Sequence, residues 1–286
     1  MKGIILAGGV GSRLWPMTIP NSKQLLPIYD KPLIYYPMAT LMSAGIRDIC
    51  IISTSADLPK FKNLFQNGKN FGVNIEYIIQ PKPEGIAQAF ILAEHFIGQD
   101  DVTLILGDNL FDSNKLVESL SAGLKKDGAK IFVYPVSNPG DYGVLSRDSE
   151  GVPVSIEEKP KDPKSNLAIT GVYMFDSKVV AYAKTITPSA RGELEITSVI
   201  NLYLKNGSLS VMDLGRGAAW LDTGTPNSMH DASTYVRVIE ERTGKKLGCI
   251  EEVAYENGWI NSEHLSEIAS NFGNNSYGIY LRSFLQ

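Results

Sequence analysis

Residues 6–14, Leu6-Ala7-Gly8-Gly9-Val10-Gly11-Ser12-Arg13-Leu14, place three glycines and an arginine directly after an apolar run. Glycine lets backbone N–H groups approach an anion with no Cβ in the way, and Arg13 adds a charge-assisted donor, so the segment reads as a phosphate cradle. Two other glycine loops are excluded. Leu14 stands where the dinucleotide fingerprint needs a third glycine, and no Gly-Lys-Ser/Thr ending makes a Walker loop. A lysine, Lys23, follows within Asn21-Ser22-Lys23-Gln24-Leu25-Leu26-Pro27. Asp108 comes after the apolar run Val102 to Leu106 and Gly107, which puts a carboxylate at the end of an expected strand. Such a group suits hard Mg²⁺, which takes one or two carboxylates and completes its shell with phosphate oxygens and water. Gln80 also closes an apolar run, and its amide can donate and accept at once, as the O4 and N3–H edge of thymine or uracil requires. Each residue has a plainer reading: the glycines make a tight turn, Lys23 is a solvated charge, Asp222 caps a turn and Gln80 meets solvent at a strand end. The histidines His95, His230 and His264 sit in no catalytic-looking setting and read as surface or packing residues.

The combination is more specific than its parts. Gly8-Gly9-x-Gly11-x-Arg13-Leu14 followed by Lys23-Gln24-Leu25-Leu26-Pro27 resembles the signature of the sugar-nucleotide pyrophosphorylases, nucleotidyltransferases that join a sugar 1-phosphate to a nucleoside triphosphate. Gln80-Pro81-x-Pro83-x-Gly85-x-Ala87-Gln88-Ala89, Leu106-Gly107-Asp108-Asn109, Glu157-Glu158-Lys159-Pro160, Thr170-Gly171-Val172-Tyr173, Arg191-Gly192-Glu193-Leu194-Glu195-Ile196-Thr197 and Trp220-Leu221-Asp222-Thr223-Gly224-Thr225 extend the likeness over essentially the whole chain. One departure is Ser12, where members often carry Thr; the hydroxyl is kept.

The resemblance implies transfer of the dTMP moiety of dTTP to α-D-glucose 1-phosphate, giving dTDP-glucose and pyrophosphate, with Mg²⁺ as cofactor. It implies a nucleotide site of Leu6, Gly8, Gly9, Gly11, Ser12, Arg13, Gln80, Gly85 and Asp108. The sugar phosphate would meet Gly143, Glu158, Lys159, Thr170 and Val172, with Tyr142 either beside the sugar or anchoring its loop. Asp108 and Asp222 would hold the metal, and Arg13, Lys23, Asp108, Lys159 and Asp222 would carry catalysis. Chemically the set is coherent. Two anions must meet, so cations are needed on each side: Arg13 and Lys23 for the triphosphate, Lys159 for the sugar phosphate. The attacking phosphate monoester has a second pKa of about 6, so it is ionised at neutral pH and needs no general base. Three rivals remain on the page: a UTP-preferring enzyme, since uracil lacks only a methyl; a non-catalytic nucleotide-sugar sensor; and, weakest, a hydride-transferring enzyme.

The elements that must position these residues alternate in kind. Apolar runs at Gly3 to Ala7, Asp48 to Ser53, Asn74 to Gln80 and Val102 to Leu106 read as strands, and Leu33 to Ala44 and Ile86 to Ile97 as helices. This alternation predicts an α/β fold, a Rossmann-like mostly parallel sheet flanked by helices, with ligands at the carboxyl ends of its strands. Lys130 to Pro135, Val154 to Glu157 and Ala168 to Phe175 follow as strands, then helices over Glu195 to Lys205 and Pro226 to Arg242. Residues 1–244 are expected to form the catalytic domain, with a nucleotide part to about 130 and a sugar-binding insertion over about 131–225. Residues 245–286 read as a small C-terminal helical appendage, with helices over Asn261 to Ser270 and Tyr277 to Phe284. Its aromatic residues Tyr255, Trp259, Phe272, Tyr277, Tyr280 and Phe284 suit either a cap packed on its own subunit or a regulatory or subunit interface, and the resemblance favours the interface. The resemblance further implies a homotetramer with a second site where the end product dTDP-rhamnose inhibits.

Composition narrows the classes of partner. The chain has 286 residues, of which 43% are hydrophobic and 20% charged, an ordinary globular balance that excludes disorder for the bulk. A net charge of −4 provides no positive field for nucleic acid or an anionic membrane. Cys50 and Cys249 are too few for a disulfide framework, and no apolar run approaches the roughly 18 residues that span a bilayer. A cytoplasmic protein is the expectation.

Overall fold

A computed structural model describes residues 1–285. Its central sheet runs in the order Pro153–Glu158, Gly143–Arg147, Leu167–Phe175, Val102–Leu106, Lys2–Ala7, Asp48–Ser53, Asn74–Ile79. The last four of these are parallel, with Ile5 opposite Ile51 on one side and Ile105 on the other. Continuous apolar runs form them because both faces are covered: Ile4, Cys50, Ile52 and Leu104 pack on one face, and Ile5, Ile49, Ile51 and Ile105 on the other. The expected α/β architecture is therefore present, with antiparallel strands extending its parallel centre.

The long strand Leu167–Phe175 joins the two regions by forking. Its second half pairs antiparallel with Val102–Leu106, while Leu167 and Ala168 pair instead with Leu145 and Val144. On its other side it pairs with Ala129–Pro135, where the register shifts between Ile169 and Tyr173, and Leu209–Asp213 adds a parallel edge. A separate two-stranded ribbon, Asn109–Asp112 against Ala219–Asp222, leaves the sheet directly after Asp108.

Several elements differ from their expected bounds for local reasons. The helix expected from Leu33 begins at Tyr35, because the Leu33 and Ile34 N–H groups donate to Leu26 and Gln24 carbonyls and stay with the preceding loop. The stretch expected as one helix over Ile86 to Ile97 is two, Gln88–Leu92 and Glu94–Ile97; its first residues are drawn off by the Ala87 N–H to Leu194 carbonyl bond. The helix Pro226–Thr243 matches closely, fixed at its start by the Thr225/Ser228 capping box and at its end by left-handed Gly244.

Residues beyond Gly244 form the helices Ile250–Glu256, Ser262–Asn271 and Ser276–Arg282. They pack on their own chain: Ile250, Ala254, Leu265 and Leu281 share one core with Met38, Leu41 and Met42. The aromatics expected to be surplus are covered by this packing, Tyr277 being buried and the other five half-buried against that core. Both cysteines are buried small core residues.

Candidate functional site

Two adjoining cavities open at the carboxyl ends of the parallel strands. The smaller, about 180 Å³, is lined by Gly9, Gly11, Ser12, Arg13, Lys23 and Asp108 among others. The larger, about 530 Å³, is lined by Arg13, Asp108, Asp222, Gly143, Glu158 and Lys159, together with residues described below. Arg13 and Asp108 belong to both.

The glycine loop leaves the first strand and turns into the short helix Ser12–Leu14 at left-handed Gly11 (φ +64°), whose carbonyl accepts from the Thr18 hydroxyl at 2.7 Å. Lys23 is buried, and its Nζ lies 2.7 Å from Asp108 Oδ2. The other Asp108 oxygen accepts from Asn109 Nδ2 at 2.9 Å, and Asn109 Oδ1 in turn accepts from Trp220 Nε1 at 2.6 Å. Asp222 is brought to the same place by the ribbon, in which it pairs with Asn109. Thr223 completes the clamp, its hydroxyl donating to the Asp108 carbonyl at 2.8 Å.

These contacts set the two carboxyls apart. Burial disfavours the Asp108 charge, but the adjacent Lys23 ammonium and the Lys23 and Asn109 hydrogen bonds prevail and hold its pKa below the ordinary value. Burial, and next the Asp108 charge, push the Asp222 pKa up, against the pull of Lys23, Arg13 and Lys159. Asp108 thus has a bonded ammonium partner, which Asp222 lacks among the described residues. Among the described residues no group of three or more His, Cys, Asp or Glu side chains gathers to hold a metal. Two neighbouring oxygen donors beside a glycine loop nevertheless fit Mg²⁺, which needs few protein ligands when phosphate and water supply the rest.

The larger cavity is bounded by the forked strand and the Gly143–Arg147/Pro153–Glu158 hairpin. Lys159 follows that hairpin in a left-handed conformation (φ +43°), its N–H donating to the Tyr142 carbonyl at 3.0 Å. Its exposed ammonium makes no ion pair among the described residues. The cation is thus uncommitted, on a backbone conformation that non-glycine residues rarely adopt. Glu158 accepts from the Thr197 hydroxyl at 3.1 Å; burial and then Glu195 raise its pKa, against Thr197, Lys159 and Arg191. Tyr142 packs on Trp220, ring centroids 5.1 Å apart.

The sequence-derived residues separate into those that line the cavities and those that do not. Gly9, Gly11, Ser12, Arg13, Lys23 and Asp108 meet in the smaller; Gly143, Glu158, Lys159 and Asp222 meet Arg13 and Asp108 in the larger. Leu6 packs against the apolar core instead. Thr170 and Val172 are buried, the Thr170 hydroxyl donating to the Phe132 carbonyl and Val172 lying in the core, so it is Gly171 between them that faces the cavity. The contacts expected at Thr170 and Val172 are thus open to their backbone and not to their side chains. Gly85 (φ +109°) gives its missing Cβ to the Leu194 backbone, which would lie 2.4 Å from such an atom. Gln80 and Gly8 lie against each other where the first strand runs into the loop, and neither lines either cavity.

Asn109, Arg191, Glu195 and Thr197 are among the lining residues without a role assigned from the sequence. Arg191 lies 3.5 Å from both Glu158 and Glu195, and 3.2 Å from Glu193. The run Arg191 to Thr197 carried the signal, since a strand-like or helical pattern does not ask for three charges there, but nothing local said which partner they face.

Against this geometry the comparisons are direct. A family model described as nucleotidyl transferase matches residues 2–238, and the chain belongs to that family. Within it the chain is similar to glucose-1-phosphate thymidylyltransferases. That of Mycolicibacterium smegmatis is 52% identical, with 100% of this chain and 99% of that protein covered. That of Neisseria meningitidis serogroup A is 50% identical over the full length of both. Among solved structures, a Bacillus anthracis chain assigned as a glucose-1-phosphate thymidylyltransferase, in complex with sucrose, superposes with TM-score 0.76 at 43% identity, covering 83% of this chain and 95% of that one. A UDP-glucose pyrophosphorylase complexed with UDP-glucose gives TM-score 0.74 at 25% identity, covering 83% and 98%. No helix among the described residues is long and apolar enough to cross a membrane.

Proposed function

We propose that this chain transfers the thymidylyl group of dTTP to α-D-glucose 1-phosphate, releasing pyrophosphate and dTDP-glucose. The observation that carries the reading is the sharing of Arg13 and Asp108 by two adjoining cavities, which suits two anionic substrates meeting at one reacting phosphorus. The full-length similarity to thymidylyltransferases supports dTTP over UTP.

In this reading the triphosphate lies against the glycine loop, where Gly9, Gly11 and Ser12 offer backbone N–H groups and Arg13 and Lys23 offer charge. The glucose phosphate enters the larger cavity, where Lys159 holds its phosphate and Glu158 accepts from sugar hydroxyls. The already ionised sugar phosphate attacks the α-phosphorus in line, and pyrophosphate leaves on the opposite side. Arg13 lies between the two anions and lowers their repulsion throughout. Asp108 and Asp222 would hold Mg²⁺, which when bound offsets charge on the phosphate oxygens. Lys23 keeps Asp108 ionised and ready for that ion.

The assembly belongs to the same proposal: a homotetramer with a second site for dTDP-rhamnose, supported by family resemblance and checked by light scattering and inhibitor titration. The deciding experiment for the activity is pyrophosphate release from dTTP, UTP, ATP and CTP with glucose 1-phosphate and Mg²⁺. Highest kcat/KM for dTTP is expected. Preference for UTP would move the chain to the uridylyl class, and no release from any nucleotide would favour a sensor.

A further inference from the structure

Gln80 exposes only 3% of its surface, and its Oε1 is buried with no hydrogen-bond partner among the described residues. A short chain of contacts determines which end of the amide this is. The Glu84 backbone N–H donates to Gln88 Oε1 at 3.2 Å, and Gln88 Nε2 donates to the Glu84 carboxylate at 2.7 Å. A backbone N–H only donates and a carboxylate only accepts, so the Gln88 amide has one orientation. Its Oε1 also accepts from Gln80 Nε2 at 2.7 Å. Gln80 must therefore turn its NH₂ toward Gln88 and its oxygen toward the glycine loop. A Cβ on Gly8 would fall 1.6 Å from that oxygen, so only glycine leaves room for it.

We propose that Gln88, braced by Glu84, is a positioning residue that sets nucleobase selectivity by locking Gln80 with its acceptor toward the base. This rests on the reading that the chain uses a pyrimidine nucleoside triphosphate. Thymine and uracil carry an N3–H that such an acceptor takes; the same ring position in cytosine is itself an acceptor. A cytosine base would leave two lone pairs opposed and unpaired, which a buried site rejects strongly. A flipped Gln80 would offer its NH₂ to cytosine, and Gln88 is the contact that opposes the flip. The unpaired Oε1 is the mark of this arrangement, since a buried amide oxygen without a donor is unfavourable until one arrives.

The test compares kcat/KM for dTTP, UTP and CTP with glucose 1-phosphate in three proteins: the parent, Gln88→Met, and the double variant Glu84→Gln/Gln88→Glu. Methionine keeps the length of Gln88 but neither donates to Glu84 nor accepts well from Gln80. The double variant restores the lock with its outer bond reversed, because a carboxylate at 88 still only accepts from Gln80 while an amide at 84 donates to it. The dTTP-to-CTP ratio is expected to fall about tenfold or more in Gln88→Met, mostly through KM for the nucleotide, and to return to the parent value in the double variant. Dissociation constants of dTMP and CMP, measured by calorimetry, read the same ratio without turnover if a variant is slow. An unchanged ratio in Gln88→Met, an equal loss with all three nucleotides, or a double variant that stays unselective would overturn the proposal while leaving the activity intact. A parent that releases no pyrophosphate from any pyrimidine nucleotide would overturn the activity and this inference together.

Discussion

The Thr223 hydroxyl donates to the Asp108 carbonyl oxygen at 2.8 Å, tying together two parts of the chain 115 residues apart. The bond sits beside the pairing of Asn109 with Asp222, so backbone geometry fixes the spacing of the two carboxylates. Replacing Thr223 by Val keeps the shape and removes the donor. A lost hydrogen bond of about 1 kcal/mol predicts roughly a fivefold rise in the Mg²⁺ concentration for half-maximal rate, with little change in melting temperature. Unchanged Mg²⁺ dependence would show that the clamp does not set the site.

Asp108→Asn and Asp222→Asn should each lower turnover about 100-fold or more while circular dichroism stays that of the parent, because an amide ligates Mg²⁺ poorly. Near-normal turnover at saturating Mg²⁺ would remove that residue from the metal site.

Lys159→Ala should raise KM for glucose 1-phosphate more than KM for dTTP, whereas Arg13→Ala should chiefly impair use of dTTP. The division follows from the smaller cavity at the glycine loop, which Arg13 lines and Lys159 does not. Equal effects of the two substitutions on both substrates would contradict it.

Metal affinity should depend on pH through Asp222. Its folded-state pKa is raised above 3.8 by burial and by the Asp108 charge, so the proton is held into a pH range where an ordinary carboxyl has lost it. Mg²⁺ must displace that proton; affinity therefore rises with pH through the raised pKa and levels off above it. Titration calorimetry in two buffers would read the proton release. An Asp222→Asn variant with the same pH slope would place the proton elsewhere.

Ile250→Ala should lower unfolding free energy by about 2–5 kcal/mol, the usual range for emptying a fully buried aliphatic site. Ile250 has no exposed surface and packs in one core with the helix Tyr35–Ser43. A change in melting temperature within error would mean that the C-terminal segment is a loosely attached appendage.

The parallel strands were legible because burial on both faces leaves unbroken apolar runs such as Ile49-Cys50-Ile51-Ile52. Leu209–Asp213 was not, since it is an edge strand with half-buried Leu209 and Val211 and with Ser210 exposed. Ile250–Glu256 hid for another reason: Glu251 and Glu252 are buried, Glu251 against the Tyr277 hydroxyl, where the charge pattern asks for solvent. In the site, glycines and strand-end residues declared themselves locally. Asn109, Arg191 and Glu195 did not, because their roles depend on partners that only the folded chain brings near. Thr170 and Val172 flank Gly171 in its strand, so their side chains point away from the cavity that Gly171 faces.

The forked strand has a consequence for how such an enzyme can change. Among the described residues the Gly143–Arg147/Pro153–Glu158 hairpin joins the sheet ladder only at Leu167 and Ala168. Its turn can lengthen, shorten or be exchanged without disturbing the pairing of Val102–Leu106 with Lys2–Ala7, from which Asp108 and the glycine loop lead off. Lineages, and protein engineers, are thereby free to recut this wall of the larger cavity while inheriting the parallel core unchanged.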